Sequence, residues 1–297
     1  MKRVKIARTE HPGVALDFDQ VARFRELGEI LYAAGTCRLW FALFTAVSIG
    51  LRRGEVMGLR WRDIDFEKNL IHVRQNLTSP GGKMVMRPTK TEAGLRDILM
   101  PPSLRAALQR QNLAQQKELL TSDIKIDEDT AVFATVLGKY THPDNLDRAL
   151  KGIIQWSDTK AVPKKKRKTK KQILAMGEAS SVTVKKLVQT SSTIKISSLE
   201  RRMKAIPRQH RAALNAVIHS GEPLPLISPH DLRHTAGTLM LRRKVPIEVV
   251  SKTLGHADIS LTYRVYRHVL ESERREHVVD LFEMALPTRA EQSLPAN

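Results

Sequence analysis

Arg38-Leu39-Trp40-Phe41-Ala42-Leu43-Phe44-Thr45-Ala46-Val47-Ser48-Ile49-Gly50-Leu51-Arg52-Arg53-Gly54-Glu55 is the stretch on which the fold turns. From about Thr36 to Val47 almost every face is apolar, and a helix that is apolar all round has to be buried on all sides. The apolar run is closed by Arg38 and Arg52, well short of the ~20 residues that a membrane-spanning helix needs. It predicts a central core helix. Ser48-Ile49-Gly50 breaks the period, and a new helix is expected from about Arg53 to Leu59 or Trp61, which delivers Arg52 at a helix N-terminus.

Working outward, Asp17 and Gln20 form a capping-box pattern ahead of Val21, Phe24, Leu27 and Leu31, so an amphipathic helix precedes the core helix. After Asp63 the period becomes that of strands: Leu70 to Val73, then Val85 and Met86, then Leu95 to Met100. Turns at Glu67-Lys68-Asn69, Ser79-Pro80-Gly81-Gly82 and Glu92-Ala93-Gly94 separate them. Helices are expected at Ser103 to Leu120 and Asn145 to Trp156, and a short packed segment at Ala131 to Thr135. Ser198 to Ser220 recovers helical spacing, and Ser228-Pro229 starts a helix with proline at its first position. Pro246 to Leu254 is stopped by Gly255, Ile259 to His268 starts the next helix, and Glu271 to Leu286 reads as a last amphipathic one. The fold class is mainly α with a small antiparallel β-sheet (α+β).

At 297 residues and 41% apolar content the chain can fill a real core. Met1 to Pro12 is basic, but no apolar segment or small-residue cleavage site follows it, so it does not read as a secretory signal. The single cysteine, Cys37, excludes an internal disulfide and fits a reducing compartment, which predicts a protein that stays inside the cell. The formal charge of +19 points to a polyanionic partner. Much of it is concentrated: between Ser157 and Val217, sixteen Lys and Arg stand against Asp158, Glu178 and Glu200. Lys160 to Ser198 lacks an apolar period and reads as an exposed, partly disordered insertion. Its Pro163-Lys164-Lys165-Lys166-Arg167-Lys168 run looks like a nuclear import signal, and the stretch reads otherwise as a phosphate-binding arm or a solvated spacer.

Three segments carry chemistry: Gly50-Leu51-Arg52-Arg53-Gly54-Glu55, Pro229-His230-Asp231-Leu232-Arg233-His234-Thr235, and Leu254-Gly255-His256 followed ten residues later by Tyr266-Arg267-His268. Singly, each has a plain structural explanation. An Arg before a helix is usually surface, His and Arg three apart can share a solvated face, and a lone helical Tyr usually packs. Together and in this order they resemble the catalytic set of the tyrosine recombinase (phage integrase) family: Arg in a GLR-x-G/S-E context, His-x-x-Arg, Leu-Gly-His, and Tyr before x-His. The resemblance spans roughly residues 15–155 and 225–275, and Leu59-Arg60-Trp61-Arg62-Asp63-Ile64-Asp65 is similar to the family's passage from helix to strand. Lys90 in Thr89-Lys90-Thr91 is similar to the family's hairpin lysine, with Lys83 a nearby competitor.

The resemblance implies a tyrosine-type DNA strand transferase, a site-specific recombinase or integrase acting on double-stranded DNA through a 3′-phosphotyrosyl intermediate. Tyr266 would be the nucleophile. Two guanidinium forks, Arg52 and Arg233, would hold the non-bridging oxygens as charge builds on them, without a metal. A phenol with a pKa near 10 is ionised in only about one molecule per thousand at neutral pH, so it needs a base, and His230 would serve. Lys90 would protonate the leaving 5′-oxygen, and His256 would donate a hydrogen bond to the phosphate. Glu55 and Asp231 would orient the arginines, and His234 and His268 would pack behind the site. Since the ester conserves the bond energy, neither ATP, metal, other cofactor nor small-molecule substrate is implied.

The expected organisation is an N-terminal arm (1–14), a catalytic domain (15–286) interrupted by the basic insertion at about 157–220, and a loose tail (287–297), without the family's usual N-terminal core-binding domain. That departure reads as a truncated or remnant integrase, a misplaced start codon or a grip supplied elsewhere, and the alternative function is a DNA-binding remnant of an integrase without productive recombination. The expected setting is the bacterial cytoplasm, on the nucleoid. The expected assembly is a homo-tetramer on DNA, with Val278, Val279, Phe282 and Leu286 either docking on a neighbour or folding back on their own core.

Overall fold

The computed structural model describes residues 13–89, 94–121, 123–158 and 202–276. Lys90, the arm up to Pro12, the basic run from Lys160 to Ser198 and the residues after Glu276, with Val278, Val279, Phe282 and Leu286 among them, lie outside the described residues. So does the side chain of His268.

Helices α1 (Phe18–Ala33), α2 (Trp40–Ile49) and α3 (Arg53–Gly58) come first, followed by strands β1 (Ile64–Asp65), β2 (Leu70–Val73), β3 (Gln75–Thr78), β4 (Val85–Pro88) and β5 (Arg96–Leu99). Then come α4 (Pro102–Leu120), α5 (Asp144–Ser157), α6 (Arg208–His219), α7 (Pro229–Arg242), α8 (Ile247–Leu254) and α9 (Ile259–Glu276). The first cap is reciprocal, as its sequence predicts: the Gln20 amide donates to Asp17 at 2.8 Å and the Asp17 amide to Gln20 Oε1 at 3.1 Å.

α2 is the hub, with α1, α3, α4, α5 and α7 all packed on it. Eight of its ten residues are buried, Trp40 and Phe41 completely. Truncating either ring would cost about 3–5 kcal/mol, since five helices fix the walls of the cavity left behind. Cys37 is buried at its edge, a core residue as expected.

The strands differ from the single sheet expected. β1, β2 and β5 form one antiparallel sheet, whereas β3 and β4 form a separate two-stranded ribbon. Val73 of β2 faces Arg96 of β5, and Ile71 faces Ile98. Along β5, Arg96 and Ile98 are buried and Asp97 and Leu99 exposed, so strand alternation turns Arg96 inward with an isoleucine.

Part of the basic stretch belongs to the body. α6 buries Leu214 and Ile218 and packs on α1. The buried Arg23 of α1 donates to the carbonyls of Val217 and Ile218 at 3.2 and 2.8 Å, and also to Glu222. A cation is thereby placed on the last-turn carbonyls of α6, where the helix dipole favours it. A further bond from Arg23 to Ser157 at 3.2 Å joins the end of α5 to the same clasp. α7, α8 and α9 enclose a second apolar cluster of Leu241, Ile247, Val250, Leu254, Tyr266 and Val269. α9 is continuous through Glu276, where the sequence predicted one helix to His268 and a second from Glu271.

Candidate active site

Gly50 ends α2 in the left-handed region (φ 67°, ψ 30°), where a side chain is strained, and a Cβ there would stand 2.4 Å from Leu254. The reversal serves two arginines. Its carbonyl accepts Arg233 Nη1 at 2.8 Å, and two residues later Arg52 stands as the N-cap of α3. Arg52 donates to Glu55 from its amide at 2.9 Å and from Nη1 at 2.8 Å, and Nη2 reaches the Gly255 carbonyl at 3.2 Å. One guanidinium thus spans the start of α3 and the turn after α8.

Glu55 is buried, and its carboxylate is shared. Arg96 approaches it with Nη1 at 3.2 Å and Nη2 at 2.9 Å. Burial pushes the Glu55 pKa up, but the hydrogen bond and charge of Arg96, with Arg52, outweigh it and hold it below the usual carboxylate range. Glu55 is therefore an anion at neutral pH.

Arg233 is 3% exposed, and its Nη2 is buried without a hydrogen-bond partner. Burial and then the neighbouring Arg52 bring its pKa down to about 9. A buried guanidinium donor without a protein partner, beside a second cation, is an arrangement that suits an anion. His230, one turn earlier on α7, has an exposed outer edge. Desolvation of the rest of its ring, then Arg233 and Arg52, lower its pKa. It shares an open cleft of about 460 Å³ with Arg52, Gly54, Asn76, Thr78 and Ser228.

His256 sits between α8 and α9, its Nδ1 2.7 Å from Thr262 Oγ1. Burial, then Arg233, Arg52 and Arg96, lower its pKa to about 4, so the ring is neutral at physiological pH. In the tautomer in which the Thr262 hydroxyl donates to Nδ1, Nε2 carries the proton and can donate to an oxyanion.

Tyr266 completes the group by position but not by exposure. Its ring stacks on His234, centroids 5.0 Å apart and 14° between planes, and it is 2% exposed. The hydroxyl presses on α7 at Gly237, where a Cβ would stand 2.3 Å from it. Burial pushes the phenol up to about 12, with Arg233 pulling it down. The phenol is held protonated, within the field of Arg233.

Of the residues singled out from the sequence, Arg52, His230, Arg233 and His256 are thus brought together, with Tyr266 packed beside Arg233. Lys90 falls in the undescribed stretch between Thr89 and Gly94, while its competitor Lys83 lies exposed in the turn of the β3–β4 ribbon. Glu55 orients Arg52 as expected. Asp231 does not do the same for Arg233: its carboxylate accepts the amide and hydroxyl of Ser228, at 2.8 and 2.7 Å, and caps α7. Sequence reasoning missed Arg96, Thr262 and Gly237. The alternation of Arg96 with Ile98, and the four-residue step from Thr262 to Tyr266, were signals available for two of them.

A helical body around α2 and a small sheet, with arginine and histidine side chains presented from α3, α7 and the α8–α9 turn, make up the fold. The solved structure of the Tn1549 transposon integrase in complex with transposon right end DNA has this fold, with a TM-score of 0.55 at 18% identity over 92% of this chain and 69% of that one. The phage integrase family model matches residues 153–273. A tyrosine recombinase XerC-like protein of Caldanaerobacter subterraneus subsp. tengcongensis is 26% identical over 268 residues, which cover 86% of this chain and 52% of the relative. Prophage integrase IntR of Escherichia coli strain K12 is 42% identical over 69 residues, covering 23% of this chain and 16% of the relative. The chain thus spans about half the length of the first of these relatives and less of the second.

Proposed function

We propose that this chain is a site-specific recombinase that cuts and rejoins double-stranded DNA through a covalent link to Tyr266. The observation that carries it is the buried Arg233 Nη2 without a partner, facing a site where Arg52 adds a second guanidinium. A scissile phosphate is the anion that both forks suit, since charge grows on its non-bridging oxygens during attack. His256 adds a neutral donor. Its ring can answer the same oxygens without the cost of a further buried cation.

Attack by the Tyr266 oxygen on phosphorus forms the O–P bond and releases the 5′-oxygen. The phenolic proton goes to His230, and the leaving oxygen takes one from Lys90. Reversal by another strand's 5′-hydroxyl rejoins DNA. With its hydroxyl lodged against Gly237, Tyr266 has to leave that slot before it can attack.

The finer reading follows the family. The partner is double-stranded DNA, the active assembly is a homo-tetramer on it, and the setting is the bacterial cytoplasm on the nucleoid. The catalytic domain runs from 15 to 286, with the basic stretch inserted.

A nicked duplex carrying the attachment site tests the reading, because loss of the short strand beyond the nick traps the covalent intermediate. A DNA adduct with the parent chain and none with Tyr266→Phe is expected. DNA binding without any adduct would sink the enzymatic reading and leave the DNA-holding remnant. Sedimentation with bound duplex reads the tetramer.

A further inference from the structure

We propose that Arg96 is a positioning residue that locks Arg52 and the His256 turn into one geometry; the inference rests on the function proposed above. Its side chain is buried beneath the site and bonds to three separate segments. Two of its nitrogens reach Glu55, at 3.2 and 2.9 Å, and Glu55 in turn holds Arg52. Its Nε donates to the Thr253 carbonyl at 2.8 Å, in the last turn of α8 just before Gly255-His256. Nη1 also reaches the Gly94 carbonyl at 3.2 Å, at the foot of β5.

The arrangement is a closed ring. Arg96 joins Glu55 to Thr253, Glu55 joins Arg96 to Arg52, and Arg52 returns to the Gly255 carbonyl at 3.2 Å. Removing the Arg96 link leaves the α8–α9 turn tied to α3 by the Arg52–Gly255 bond alone, and Arg52 itself less firmly held. Only a guanidinium fills the position: its planar fork satisfies a carboxylate edge and two carbonyls at fixed angles, whereas an ammonium is a point donor. A buried ion pair gains little net stability over an apolar replacement, so stability alone is a weak reason for an arginine in a strand that otherwise faces a core. Alignment of two phosphate-facing groups, one on α3 and one after α8, is a stronger one. Misplacement by about 1 Å is enough to slow a reaction of this kind by ~100-fold.

The test uses Arg96→Lys, which keeps a cation beside Glu55 while giving up the fork, so that the fold survives where Arg96→Met could fail. Hydrogen exchange is followed at the amides of residues 253–257 and 52–56, with α1 as internal reference. Exchange at least about tenfold faster in both segments, with α1 unchanged, is the expected result. Adduct formation on the nicked duplex is then measured for Arg96→Lys, His256→Ala and the double variant. Arg96→Lys should lose about 10- to 100-fold, and the double variant far less than the product of the single losses. Unchanged exchange in both segments, or losses that simply multiply, overturns the proposal. A parent chain that forms no adduct counts against the recombinase reading, and the exchange result still decides whether Arg96 is the brace.

Discussion

The ring of Tyr266 lies parallel to that of His234, centroids 5.0 Å apart, and its hydroxyl rests where Gly237 has no side chain. The residue proposed to attack DNA is thus one of the largest fully buried side chains among the described residues. Its burial is conditional on a single hydrogen atom at Gly237.

Gly237→Ala places a methyl group against the Tyr266 hydroxyl and ring, closer than atoms can stand. The ring is expected to be expelled, at a loss of about 1–3 kcal/mol in denaturant unfolding. Ultraviolet titration read as a difference from Gly237→Ala/Tyr266→Phe should show the phenol ionising nearer 10 than 12. A phenol that still titrates near 12 would mean that the slot does not hold it.

The folded-state pKa of Tyr266, about 12, lies above the 10.0 of a free phenol. A raised pKa contributes stability that is fully present below pH 10 and is lost as pH rises towards 12, because the unfolded chain releases the proton first. Two units correspond to about 3 kcal/mol. Tyr266→Phe should lack this alkaline loss when unfolding is measured between pH 9 and 12, and equal loss in both proteins would refute it.

His256 behaves in the opposite sense. Its pKa of about 4 lies below the free value of 6.5, so its contribution is present above pH 6.5 and is lost as pH falls towards 4. Since Arg233, Arg52 and Arg96 help burial to lower it, an anion that neutralises them should raise it. NMR titration of the imidazole with and without a phosphate-bearing duplex reads the shift. A downward move, or none, contradicts a phosphate site here.

Glu55→Ala would leave Arg96 buried opposite no carboxylate, and a loss of about 3–5 kcal/mol in unfolding free energy is expected, more than for Glu55→Gln. Arg233→Lys gives up the fork while keeping a positive charge. Adduct formation should fall about 100- to 1,000-fold with DNA affinity nearly unchanged. Equal losses in binding and in adduct formation would place Arg233 in grip rather than chemistry.

Much of this was legible beforehand because it is local. The Asp17 cap, the all-apolar α2, the glycine stops at Gly50 and Gly255, and Pro229 at the start of α7 depend on neighbours within a turn or two. What misled was equally local. Asp231 stands next to Arg233 in its motif, yet two residues apart on a helix point away from one another, and its carboxylate turns back to the orphan donors at Ser228. The division of the strands into a sheet and a ribbon was not legible either, because alternation specifies which side chains face inward but not which strand each one pairs with.

The sequence by itself determined the fold class, a resemblance to one family and four side chains that meet, through periodicity, caps and three short motifs. Tertiary structure alone decided what surrounds them. Arg96 becomes a brace only because β5 pairs with β2 and turns it under Glu55, and Thr262 matters only because the α8–α9 turn folds His256 onto it. Tyr266 is shut away only because α9 crosses α7 at Gly237. Each is a contact between residues distant in the chain or set at a turn, and its strength lies in burial and geometry that no residue carries alone.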